Sequence, residues 1–136
     1  MTNNKKKVFL GGTCNGSLWR DFVIPKLKID YFNPVVDDWS SNAHQKELYE
    51  REHCDYCLYI ITPRLNGFYS IAELIDDSNK RPQKTLFLFV ESEGKQSFNQ
   101  YQVETLNAIS KMVQSNGAKY FESFQTLIKF LNGEES

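Results

Sequence analysis

The sequence predicts an α/β fold of the flavodoxin-like type, a three-layer sandwich around a five-stranded parallel sheet in the order 2-1-3-4-5. Three observations predict it. Short apolar runs alternate with helical stretches along the whole chain, a pattern that builds a parallel sheet with helices on both faces. The runs at residues 55–62 (DYCLYIIT) and 84–90 (KTLFLFV) are apolar at successive positions, as strands covered on both faces are. Strand–helix units repeated through 136 residues suit a doubly wound order with right-handed crossovers. The whole of 1–136 is expected to form a single domain.

Each element follows from local chemistry. KVFL at 7–10 is an apolar run stopped by Gly11 and Gly12, and reads as the first strand. The loop GGTCNGS follows, then a helix over 19–27 with Ser17 as its N-cap. Pro25 lies inside that helix and shortens or kinks it. Residues 29–32 read as the second strand, and 43–53 as a helix capped by Asn42. The third strand at 55–62 leads through a loop to a helix over 69–79. After the fourth strand and a polar loop at 91–97, a long helix over 99–116 turns Val103, Leu106, Ala108, Ile109, Met112 and Val113 to one side. Gly117 stops it. A short edge strand at 119–121 and a helix over 123–131, capped by Ser123, complete the pattern, and the polar tail at 132–136 is expected to fray.

Composition excludes several classes. A formal net charge of -1 lacks the basic excess of a nucleic-acid or anionic-membrane binder. The lysines at 5–7 read as a solvated lead-in to the first strand. No apolar run approaches the ~20 residues of a membrane span, and no signal-length segment follows the early lysines. A cytoplasmic location is expected, with neither membrane nor nucleic-acid polymer as partner. Cys14, Cys54 and Cys57 make an odd number, which suggests free thiols. Cys54 and Cys57 have redox or zinc half-site spacing, but they precede a strand, whereas a thioredoxin-type pair follows one. They read as buried at the lower end of the sheet, and no metal or cofactor is expected.

A ligand site in such a sheet lies beyond the carboxyl ends of the strands. That directs attention to the loops at 11–17, 33–39, 62–69 and 91–97. The first lacks the GK[ST] of a P-loop and the spacing of a dinucleotide fingerprint. Gly11, Gly12 and Asn15 still allow close approach of a ligand to backbone. Glu73 stands out among the acids. Its neighbours Ala72 and Leu74 are apolar, it follows a loop containing Gly67, and Tyr69 and Ser70 lie within one turn. By contrast, Asp76 and Asp77 read as polar surface. A carboxylate that displaces a leaving group from a sugar carbon needs a second acid to protonate that group. Asp37, Asp38, Glu47, Glu50 and Glu52 are the available acids. Trp19, Trp39 and Phe68 are available to stack on a flat ligand, and Asn33 and Asn66 to hydrogen-bond.

The segments VFLGGTCNGSLWR (8–20), DYFNPVVDDW (30–39), CDYCLYIITP (54–63) and GFYSIAELID (67–76) resemble the nucleoside 2-deoxyribosyltransferase-like proteins. The likeness keeps motif order over about residues 7–132. It implies a flavodoxin-like fold and cleavage of an N-glycosidic bond by a glutamate nucleophile, a role that falls on Glu73 within Ala72-Glu73-Leu74. An aspartate that binds or protonates the base falls on Glu47, counting back from Asp55. A sugar-binding aspartate falls on Gly67, leaving that contact to Asn66, Asp37 or Asp38. Related nucleotide hydrolases hold a 5′-phosphate, for which Ser70 and the loop at 11–17 are placed. The transferases complete each site with a neighbouring subunit's C-terminal tail, which makes a homo-oligomer an expectation, although the tail NGEES does not match. The resulting expectation is a small-molecule nucleoside or nucleotide substrate, with transfer of its sugar to another base or to water. A non-catalytic nucleotide-binding or sensing domain is the alternative.

Overall fold

A computed structural model describes residues 5–14, 16–36 and 40–134. Its main sheet joins β1 (Lys7–Gly12), β2 (Asp30–Phe32), β3 (Tyr56–Ile61), β4 (Thr85–Phe89) and, after a separate hairpin of β5 (Ser92–Glu93) and β6 (Gln96–Ser97), β7 (Lys119–Tyr120). Among the described residues this is a five-stranded sheet in the order β2-β1-β3-β4-β7, and every pairing is parallel. The helices are α1 (Trp19–Val23), α2 (Ser41–His53), α3 (Tyr69–Lys80), α4 (Gln100–Ser115) and α5 (Phe124–Leu131). This is the expected flavodoxin-like α/β sandwich.

The strand alternation divides the core in two. Val8, Leu10, Leu58, Ile60, Leu86 and Leu88 face Trp19 and Val23 of α1 and Leu127 and Leu131 of α5. Phe9, Cys57, Tyr59, Ile61 and Phe87 face Leu74 of α3 and Leu106 and Val113 of α4. Successive residues of one strand supply both layers because side chains alternate across a pleated sheet. Cys54 and Cys57 are free and buried, as their place before β3 led one to expect. No described helix is long and apolar enough to cross a membrane.

Several boundaries differ from the expectation, each for a local reason. β1 does not stop at Leu10. It continues because Gly11 pairs with Tyr59 and Gly12 with Ile60, in a space that no side chain fits. A Cβ on Gly12 would lie 2.1 Å from the Ile60 carbonyl oxygen, and its φ is 116°. Pro25 does divide the first helix, into α1 and a 3-10 turn over Ile24–Lys26. Ser17 is not its cap: the N-cap position is Leu18, and the Ser17 hydroxyl instead donates to Glu93 Oε1 at 2.8 Å. α2 is capped by Ser40, whose side chain accepts the Ala43 N–H, and not by Asn42. The loop at 91–97 folds into the β5–β6 hairpin. Asn99 and Gln102 form a capping box at the start of α4.

Candidate active site

The carboxyl ends of β1 and β3 open into a cavity of about 730 Å³, within the usual range for small-molecule sites. Its floor is Gly11, Gly12, Thr13 and Cys14, continuing β1. Pro34, Val35 and Val36 form an apolar wall after β2. α2 contributes His44 and Glu47, and the segment after β3 contributes Leu65, Asn66, Gly67, Tyr69, Ser70 and Glu73.

Two carboxyls meet in this wall. Glu47 of α2 and Glu73 of α3 are 8% and 7% exposed. Glu47 lies within hydrogen-bonding reach of Glu73. Burial, then the hydrogen bond and charge of Glu47, push the Glu73 carboxyl up to about 9. Two adjacent buried carboxyls do not both ionise readily, so Glu73 keeps its proton to higher pH than an ordinary glutamate. Glu73 Oε2 has no hydrogen-bond donor among the described residues, and its nearest cation is Arg51 Nη1 at 3.6 Å.

Arg51 is itself buried and held by acids of α3. Its Nε and Nη2 donate to Asp77 at 3.2 and 3.0 Å, and Nη2 also donates to Asp76 at 2.8 Å. The Tyr59 hydroxyl and Arg81 Nη1 also donate to Asp77. Asp77 is therefore a fully buried anchor and not the polar surface its sequence suggested. The signal was the helical spacing: Asp77 lies one turn beyond Glu73, and Arg51 one turn beyond Glu47.

The glycine floor is braced from below and from the side. The Arg20 guanidinium is buried and donates to Leu10 O from Nε (3.1 Å) and Nη2 (2.8 Å) and to Thr13 O from Nη1 (2.7 Å). The Thr13 hydroxyl oxygen accepts the Thr62 N–H at 2.9 Å, joining the ends of β1 and β3. Glu93 of the hairpin accepts from Ser17 Oγ and the Leu18 N–H, both at 2.8 Å, and faces Arg64 Nε at 3.7 Å.

Of the residues singled out in the sequence, the cavity gathers Glu73, Glu47, Tyr69, Ser70, Gly11, Gly12, Asn66 and Gly67. Trp19 is a correction. Its ring is buried in the core and its indole N–H donates to Thr13 O, so it supports the floor from behind. Phe68 is 75% exposed and lies off the lining, as does Asn33, whose Oδ1 accepts the Val35 N–H in a turn. Glu50 pairs with Lys7 and Lys46, away from the cavity, and Glu52 is exposed. Asn15, Asp37, Asp38 and Trp39 lie outside the described residues. Sequence reasoning missed Arg20, Arg51 and His44, and took 34–36 only as part of the loop at 33–39 and not as an apolar wall. A buried arginine carries no mark that separates it from a solvated one, and His44 shows itself only through its turn spacing from Glu47.

The family model described as nucleoside 2-deoxyribosyltransferase like matches residues 5–90, a span that contains the entire cavity lining. No curated protein matches the chain.

Proposed function

Because the chain belongs to the nucleoside 2-deoxyribosyltransferase-like family, which carries out glycosyl transfer on nucleosides, we propose that it cleaves the N-glycosidic bond of a nucleoside or nucleotide. Glu73 is the nucleophile in this reading and Glu47 the acid that protonates the leaving base. The observation that carries it is the buried carboxyl pair on the cavity wall.

A carboxyl pair sharing one proton holds both reagents the first step needs. Substrate entry separates the two groups, and the proton passes to Glu47. A Glu73 carboxylate oxygen attacks the anomeric carbon as the C–N bond breaks. The bonding electrons go to the base nitrogen, which takes the proton from Glu47. The developing oxocarbenium charge is stabilised directly by the adjacent carboxylate. In the second step, water or an acceptor base attacks the anomeric carbon, the ester bond to Glu73 breaks, and Glu47 recovers a proton from the incoming nucleophile. Ser70 and the floor at 11–14 line the cavity, and in this reading they bind the rest of the sugar or a 5′-phosphate.

Incubation with a panel of nucleosides and 5′-nucleotides, with and without a free acceptor base, tests this by chromatography. Base release is expected from the wild type and not from Glu73→Gln. Full activity in that variant ends the assignment. Gly67 favours a second reading, a nucleotide-binding domain without turnover. It lines the cavity at the place where the family resemblance calls for a sugar-binding acid, and nothing lies within 4 Å of a Cβ built there. Ligand-induced stabilisation with no base release across the panel would support the binder.

A further inference from the structure

α2 and α3 meet along a polar seam. His44, Glu47 and Arg51 face the seam from α2, while Tyr69, Glu73 and Asp77 answer from α3. Arg51 ends this seam behind the cavity, and its side chain is 5% exposed. One guanidinium reaches three acids: Glu73 by Nη1, Asp77 by Nε and Nη2, and Asp76 by Nη2. Among the described residues it is the only cation within ion-pair distance of Glu73. A lysine, with one compact ammonium, does not present this planar fork.

We propose that Arg51 is a positioning residue that sets the charge of the Glu47–Glu73 pair. Clamped on Asp77, it keeps a fixed positive charge behind Glu73 Oε2 on the side away from substrate. Asp77 is in turn held by Tyr59 of β3 and by Arg81, so the guanidinium does not swing into the cavity. The charges and titratable groups facing Glu73 are Glu47, His44 and Arg51 from α2, Tyr69, Asp76 and Asp77 from α3, and Tyr59 from β3. Arg20 lies beneath the glycine floor, near enough to Glu47 to feel its charge. Glu47, Asp77 and burial all favour a protonated Glu73, and Arg51 opposes them. Without Arg51 the pair would hold its proton to higher pH and offer a carboxylate less often.

The inference deepens the nucleophile reading of Glu73 and rests on it for its catalytic meaning. Its test does not need turnover. Carboxyl ¹³C NMR on glutamate-labelled protein follows the titration of Glu73, assigned by loss of its signal in Glu73→Gln. Arg51→Gln alone leaves Asp77 as an unpaired buried anion and risks unfolding. The substitution is therefore also made on an Asp77→Asn background, with circular dichroism as the check on folding. Adding Arg51→Gln to Asp77→Asn is expected to raise the Glu73 midpoint by about one pH unit or more. An unmoved or lowered midpoint overturns the proposal. If both Arg51→Gln proteins unfold, Arg51→Met on the Asp77→Asn background decides the matter: it keeps the apolar stem without the charge, and the Glu73 midpoint must rise above that of Asp77→Asn alone. A raised midpoint in a protein that never releases base would keep this inference and sink the catalytic reading. Turnover with an unmoved midpoint would do the reverse.

Discussion

At the scale of single residues, the two carboxyls make separable predictions. If Glu47 protonates the base, Glu47→Gln loses about 10²–10⁴-fold in rate on ordinary nucleosides. A purine nucleoside already methylated at N7 carries its positive charge before cleavage and leaves as a neutral base. Its release is expected to be nearly indifferent to Glu47→Gln but still lost in Glu73→Gln, a comparison that steady-state rates check. Glu73 also leaves a mark on stability. Its folded-state value, about 9, is above the ordinary 4.5. Between those values the folded protein keeps a proton that the unfolded chain has released, so stability falls as pH rises through that window. The slope is at most about 1.4 kcal/mol per pH unit for one such group. Glu73→Gln removes this dependence. Thermal melts at several pH values are expected to show the variant gaining on the wild type up to pH about 9 and staying level beyond it.

At the scale of elements, what could be read from the sequence depended on whether the signal was local. β3 and β4 were legible because continuous apolar runs have few other uses. Asn99 and Ser123 were legible as the residues that start α4 and α5. α2 was legible as a helix, but its buried face was not: Glu47, Glu50 and Arg51 are buried charges, and a polar helix gives no apolar stripe to show which side faces inward. The β5–β6 hairpin was missed for another reason. Its strands are short and polar, and only Gly94, with φ 61°, hints at a tight hairpin turn. That hairpin carries Glu93, which holds Ser17 and Leu18 just before α1. Burial pushes the Glu93 carboxyl up, but hydrogen bonds from Leu18, Thr62 and Ser17 outweigh it and hold the carboxyl below its usual range. Its contribution to stability is present above the ordinary glutamate value and is lost as pH falls through the lower folded-state value. Glu93→Gln is expected to cost about 1–2 kcal/mol at neutral pH, measurable by urea unfolding. Because Glu93 touches no reacting atom, the same variant should raise KM more than it lowers kcat.

At the scale of the molecule, the sheet order places the cavity over β1 and β3, the central strands where the chain changes direction of winding. The general position of the site was therefore legible from strand order alone. Glu47 and Glu73 were named through the family resemblance, but their direct contact was not legible, because it joins α2 to α3 and depends on how two helices lean together. A true ligand stabilises the whole fold by mass action, about 2.7 kcal/mol at a hundred times its dissociation constant. Thermal shift with each member of the nucleoside and nucleotide panel should therefore rank ligands in the same order as base release. A ligand that stabilises strongly without being cleaved would mark the binder reading instead.

The extension of β1 through Gly12 has a temporal consequence. The backbone beneath the ligand is paired strand, with Thr13 N–H donating to Ile60 O at 2.9 Å, and so it is already ordered before an encounter. No rearrangement of that floor is needed between collision and final complex, and little chain entropy is lost there. In stopped-flow binding the floor adds no slow phase. Any slow relaxation must then come from the walls, above all from the parting of Glu47 and Glu73.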